Sequence, residues 1–279
     1  MKIAIVTDSS CTLTEQQLRD NHVYVLPFKI TLGETVYTDC VDITKEDMYA
    51  YVENTKTLPK TSAINVVEYE DYFQEILKDH DSLIYISISS EISSTYNNAR
   101  LASANFEDGK VYLVDSKSLS CGQGLLALAC AEKIKENKPA SQIAEELTLL
   151  AEKLQTSFII NRLDYLHKGG RCSSIQLLGA NLLKIKPKIE LIEGKMGMAK
   201  KYMGKYSDAV KKYATETLSE HEPDLENLFI AYTSEMPVVD ELETLAKEYG
   251  FKNVNKCFAS STIAAHCGPE TVGFIYLKK

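Results

Sequence analysis

Three short apolar runs, residues 3–6, 82–87 and 110–114, each close in a loop rich in Ser, Thr or Asp, and helical periodicity follows the second and third. Strands that are apolar along their length are buried on both faces, and a strand, loop and helix in that order form the βαβ unit of a parallel sheet. The N-terminal half is therefore constrained to a parallel sheet flanked by helices. Asn65 with Glu68 three residues on marks a helix start, and 66–78 carries the helical period. Gly33-Glu34 between the β-branched runs of 29–37 predicts a hairpin. Residues 119–154 read as helical, broken near Asn137-Lys-Pro139, with Ser141 placed to cap a second helix.

After Gln155 the pattern changes. Residues 157–161 and 186–193 read as strands, Gly194-Lys-Met-Gly197 as a hairpin turn and 198–202 as the return strand. A helix over 207–219, a strand over 228–232, a helix over 238–249 and strands at 254–258 and 272–277 complete the chain. The expected fold is α/β in two lobes: 1–155 with a mainly parallel sheet flanked by helices, and 156–279 with a mixed sheet. At 279 residues, 44% of them hydrophobic, the chain is long enough for one large or two modest cores. Its net charge of −8 opposes nucleic-acid binding, which needs clustered Lys and Arg. Seven scattered cysteines, with no C-x-x-C pair and no zinc-ligand spacing, read as reduced thiols, and no metal or cofactor is expected. The first residues run straight into a strand, and no apolar stretch approaches the roughly 18 residues of a membrane span, so the expected location is cytoplasmic.

His266 lies in the run Ser260-Ser-Thr-Ile-Ala-Ala-His-Cys-Gly-Pro269, surrounded by hydroxyls. Thr61-Ser62 and Ser93-Ser94-Thr95 sit between predicted strands and helices, and the three loops converging would make a pocket for a carboxylate or phosphate. Asp8-Ser9-Ser10, Ser89-Ser90 and Asp115-Ser116 follow the carboxyl ends of predicted parallel strands, where open α/β sheets bind ligands. They read equally as helix caps. Gly122-Gln-Gly124-Leu-Leu-Ala127 has the letters of a dinucleotide motif but stands away from its strand, which favours close packing of a helix. Ser93 with His266 forms a possible nucleophile and base, the basis of an alternative reading as a small-molecule hydrolase, although no G-x-S-x-G elbow is present. Arg171 ends Leu163-Asp-Tyr-Leu-His-Lys-Gly-Gly-Arg171 and either forks onto an anion or caps carbonyls and pairs with Asp164. Lys195, Lys200 and Lys201 read as a solvated hairpin or a docking surface.

Seven blocks occur together and in order: Ile5-Val-Thr-Asp-Ser-Ser10, Thr61-Ser62, Ser87-Ile-Ser-Ser-Glu-Ile-Ser-Ser-Thr-Tyr96, Asp115-Ser-Lys-Ser-Leu-Ser-Cys-Gly-Gln-Gly124, the Leu163 to Arg171 segment, Lys184-Ile-Lys-Pro187 and His266-Cys-Gly-Pro269. In this the chain resembles the DegV family of fatty-acid-binding proteins. The resemblance implies one family domain over 2–279, with a long-chain fatty acid in a tunnel between the lobes. It implies that Thr61, Ser93 and His266 bind the carboxylate, with Ser62, Ser94, Thr95 and Arg171 as head-group neighbours. It also implies a lipid carrier that is not itself an enzyme: a separate ATP-dependent kinase subunit makes the acyl phosphate for phospholipid synthesis. The chain departs from the family pattern in two places: Ser94 stands where the family has glycine, placing a side chain at a tight spot, and Ala63-Ile64 replaces Gln-Pro.

Overall fold

The computed structural model describes residues 2–176 and 185–279; of the motifs above, Lys184 lies outside the described residues. The first half runs β1 (Ile3–Asp8), α1 (Glu15–Asp20), β2 (Val23–Leu26), β3 (Lys29–Leu32), β4 (Thr35–Thr38), α2 (Lys45–Thr55), β5 (Lys60–Ser62), α3 (Val66–Ile76), β6 (Ser82–Ser87), α4 (Thr95–Ser103), β7 (Val111–Asp115), α5 (Cys121–Lys135) and α6 (Ala140–Ala151). The second runs β8 (Leu154–Ile160), α7 (Leu163–Gly169), α8 (Ser173–Gln176), β9 (Ile185–Ile192), β10 (Lys195–Met203), α9 (Tyr206–Glu220), β11 (Pro223–Tyr232), α10 (Val238–Tyr249), β12 (Asn253–Phe258), α11 (Ser261–Cys267) and β13 (Thr271–Lys278).

The apolar runs build a four-stranded sheet in the order β2-β1-β6-β7, parallel throughout. Successive side chains of β1 go to opposite faces, as a pleated strand requires. Ala4 and Val6 join the core under α3 and α4, and Ile5 joins the core formed with α5 and α6. The second sheet has the order β10-β9-β8-β13-β11-β12 and is antiparallel except for the β11–β12 pair. One of its faces carries α9 and α10, while Phe229, Ala231 and Ile275 on the other share a core with α5. Lying between two sheets, α5 is buried from Cys121 to Ala127, which fits a helix apolar on all sides. Its glycines serve that packing. A Cβ on Gly122 would lie 2.1 Å from Ser118 Oγ, and one on Gly124 would lie 2.8 Å from Leu13 Cδ2. A third, antiparallel sheet, β4-β3-β5, packs with α2 and the apolar side of α11.

The α/β fold with a parallel N-terminal sheet and a mixed C-terminal sheet is as expected, and so are the hairpin at Gly33-Glu34 and the capping box of Asn65 with Glu68. Three local readings are corrected. The helical stretch read to Leu154 ends at Ala151, and Leu154 opens β8; only Glu152 and Lys153, both exposed, separate the buried helix from the buried strand, and no Gly or Pro marks the change. Ser141 does not cap α6, which follows Pro139 with no side-chain cap. The hairpin turn is Glu193-Gly194, with φ of 50° and 82°, and Lys195 is already paired with Ile192. Positive φ at both central residues is the type I′ turn that matches strand twist. All seven cysteines are free thiols, and among the described residues no helix is long and apolar enough to cross a membrane.

Candidate functional site

The first polar residues after the parallel strands are tied down by hydrogen bonds within the protein. Asp8 is fully buried and accepts from the Ile88 amide at 3.2 Å, the Tyr85 hydroxyl at 3.0 Å, and the Ser10 amide at 3.0 Å. Burial raises its pKa, against the lowering effect of these donors. The Ser10 hydroxyl also donates to Gln123 Oε1 at 2.8 Å. Ser9 Oγ donates to Asp39 at 2.8 Å and accepts from the Phe28 amide at 3.0 Å. Asp39 accepts from the backbone amides of Ser261 and Thr262 at 3.1 and 3.3 Å. Asp8-Ser9-Ser10 is thus neither a ligand loop nor a helix cap but a strut that fixes α11 against β1 and β3. Ser90 bonds Asp115 and Ser116 bonds Ser118, so these pairs too are internally satisfied.

On this frame the three hydroxyl-bearing segments meet at one cavity of about 40 Å³. The small sheet supplies Thr61, the loop before α4 supplies Ser93, α11 supplies Thr262 and His266, and Arg171 follows α7. Phe28, Ala63, Ile88, Ile92, Leu119 and Met196 make the remaining wall mostly apolar. Beyond Leu119, Ile263 and Cys267, which are shared by both, a second void of about 20 Å³ continues over Ala231, Phe158 and Gly273.

Thr61 Oγ1 lies 2.8 Å from His266 Nε2. The other ring nitrogen, Nδ1, has no partner among the described residues and faces α7, where a Cβ on Gly169 would come within 2.8 Å of it. Glycine is needed there for the helix to approach the ring. An orphaned buried N–H is rarer than an orphaned acceptor, which assigns the proton to Nε2. Nε2–H then donates to Thr61, and the threonine hydroxyl hydrogen stays available to the cavity. Ser93 Oγ is 2.6 Å from Thr95 Oγ1 and also accepts from the Thr95 amide at 3.3 Å.

The His266 imidazole is pushed down from 6.5 to about 4, by burial first and by the Arg171 guanidinium second. The site is therefore neutral at His266 near pH 7. In the window between these two values the unfolded chain binds a proton that the folded chain refuses, so stability falls as pH drops from 6.5 towards 4 and is fully present above 6.5. The expected loss is about 2 kcal/mol, less than the full shift implies because the ring touches the cavity. Melting temperatures from about pH 7 down to about pH 4.5 measure it. His266→Asn should flatten the slope, and an unchanged slope would assign it to another group.

Thr61, Ser93, His266 and Arg171 all line the cavity, whereas Ser62, Ser94 and Thr95 do not. Ser62 alternates outward from Thr61 along β5 and is exposed. Ser94 is exposed at φ −70°, a backbone any residue adopts, so the tight spot expected of it is not there. Thr95 is buried behind Ser93. In the other departure from the family pattern, Ala63 contributes to the wall and Ile64 enters the core. Arg171 donates to the Gly169 carbonyl at 2.6 Å, while Asp164 pairs with Arg162. The hydrolase geometry is not formed: the nitrogen that would serve Ser93 is engaged by Thr61, and Ser93 by Thr95. Lys195 and Lys200 are ion-paired with Glu91 and Glu216. Outside the cavity lining, Glu190, Glu220 and His221 lie together; both carboxylates pair with the buried Lys188 ammonium, a cation the chain itself supplies, and His221 lies 3.3 Å from Glu190. Sequence reasoning did not single out Thr262, although its spacing of four from His266 places both on one helix face.

Residues 2–279 match the model of the DegV family. A DegV domain-containing protein of Staphylococcus aureus is 33% identical, with 100% of this chain and 99% of that protein covered. Among solved structures, a fatty-acid-binding DegV family protein of Thermus thermophilus superposes with a TM-score of 0.90 at 27% identity, both chains covered in full. The fatty-acid-binding DegV family protein of Streptococcus agalactiae gives a TM-score of 0.85 at 27% identity, covering 100% of this chain and 99% of its own.

Proposed function

The chain belongs to the DegV family, and we propose that it binds a long-chain fatty acid, holds the carboxylate with the hydroxyls of Thr61 and Ser93, with His266 acting through Thr61, and presents it to a separate ATP-dependent kinase subunit. The observation that carries the reading is the cavity itself: hydroxyls, a neutral imidazole and the Arg171 guanidinium set in an otherwise apolar lining. Two proteins of the same fold at 27% identity bind fatty acids. A buried carboxylate must be hydrogen-bonded, and hydroxyl donors do this without the tight salt bridge that would compete with a phosphoryl donor for its oxygens.

Burial of a chain of about sixteen carbons releases on the order of 10 kcal/mol at roughly 0.8 kcal/mol per methylene. Association and ordering offset much of this. Part of the remainder goes into opening the path, because voids of about 40 and 20 Å³ are far below the several hundred Å³ of a ligand pocket. The tail enters by parting Leu119, Ile263 and Cys267, the side chains common to both voids. The sequence has no G-x-x-x-x-G-K-[ST] loop, which fits a carrier that leaves ATP to its partner.

Organic extraction of the purified protein followed by mass spectrometry should yield a long-chain acid. Adding ATP and a fatty-acid kinase subunit should consume that acid and form an acyl phosphate, with no turnover by either protein alone. A protein that carries no acid, takes up none and hydrolyses esters would overturn the reading in favour of the hydrolase.

A further inference from the structure

We infer that Thr262 is a further head-group residue, a third hydroxyl that donates to the carboxylate beside Thr61 and Ser93. The inference rests on the fatty-acid reading of the same cavity. Thr262 is only 5% exposed, lines the cavity, and its hydroxyl has no hydrogen-bond partner among the described residues. A threonine inside a helix commonly bonds back to the carbonyl four residues earlier. Here that outlet is closed, because Thr262 is the second residue of α11 and the residue four before it, Phe258, ends β12. The backbone that carries it is anchored as well, since the Thr262 amide donates to Asp39 at 3.3 Å. Its position one turn before His266 puts the two on the same face of α11, both at the cavity.

A buried hydroxyl without a partner is unfavourable, and replacing it by an apolar group of the same shape is neutral or stabilising. An anionic oxygen between Thr61, Ser93 and Thr262 would remove that penalty by accepting its hydrogen. A carboxylate has about four lone-pair sites, enough for all three hydroxyls. Stability and affinity should thus move in opposite directions when this hydroxyl is removed, a pattern that a merely structural threonine does not give.

The test compares the full-length wild type, Thr262→Val and Thr262→Ser, delipidated and then titrated with palmitate and with hexadecanol, with a melting curve for each protein. Thr262→Val should bind palmitate about tenfold more weakly, as expected for one hydrogen bond to a charged group. Its affinity for hexadecanol should change less, its melting temperature without ligand should hold or rise, and Thr262→Ser should stay close to wild type. Unchanged palmitate affinity in Thr262→Val would overturn the assignment while leaving the fatty-acid reading intact. A fall in its melting temperature together with equal losses for both ligands would also overturn it, by showing a structural role. Failure of the wild type to take up palmitate would overturn the fatty-acid reading and this inference with it.

Discussion

Thr61→Val is expected to lower fatty-acid affinity by about a hundredfold, the largest loss among single changes at the cavity. The hydroxyl is placed to serve two partners. Its oxygen receives His266 Nε2–H at 2.8 Å, and its hydrogen is left to the carboxylate. A hydrogen bond to a charged group contributes about 1.5–3 kcal/mol, and losing it from a desolvated head group falls toward the upper end. Valine keeps the shape of the side chain but leaves both ring nitrogens of His266 unpartnered, so the protein should also lose about 1–2 kcal/mol of stability. Ser93→Ala should weaken binding by about tenfold, less than Thr61→Val because Thr95 Oγ1 remains behind it as a substitute donor. Ser62→Ala, on the outward side of β5, should bind as wild type does. Calorimetric titration with palmitate measures all three. Retention of wild-type affinity in both Thr61→Val and Ser93→Ala would remove the hydroxyl clamp from the account.

What the sequence reveals of this arrangement follows from how each signal is encoded. The parallel sheet is legible because β1, β6 and β7 each carry an unbroken apolar run, and β1 and β6 are buried on both faces. The end of α6 is not, since only two exposed residues, Glu152 and Lys153, stand between the buried Ala151 and the buried Leu154, too few to mark the change from helix to strand. Ser93, His266 and Arg171 are found from their residue types and their places next to predicted elements. Distinguishing Thr61 from Ser62 requires knowing that 60–62 is a strand, and three residues are too few to display a period of two. Thr262 did have a signal, its four-residue offset from His266, but that offset has meaning only once the surrounding run is known to be a helix. Asp39 has none. It is one aspartate in a loop after a hairpin, and its partners in α11 lie more than two hundred residues away in sequence.

That aspartate supports the other large expected effect. Asp39→Ala should destabilise the protein by about 3 kcal/mol and weaken ligand binding as a consequence. The carboxylate is fully buried and accepts from Ser9 Oγ, from the Ser261 amide and from the Thr262 amide. These donors belong to the loop after β1 and to the first turn of α11, and Ser9 in turn holds the Phe28 amide at the approach to β3. Alanine would leave two amides and a hydroxyl without their acceptor at a place that water can reach only by loosening the packing. Each such group costs about 1–3 kcal/mol, reduced where solvent enters. For a chain of this size the loss corresponds to a melting temperature lower by roughly 6–10 °C. Because α11 carries both Thr262 and His266, the same change should speed hydrogen exchange of the amides in that helix and lower palmitate affinity without touching a residue of the cavity wall. Asp39→Asn keeps one carbonyl acceptor but turns an amide N–H₂ toward donors, so it should recover only part of the stability. A melting temperature for Asp39→Ala within about 1 °C of wild type would mean that α11 is held by its apolar contacts with α2 and the small sheet, and that the buried carboxylate is dispensable to the site.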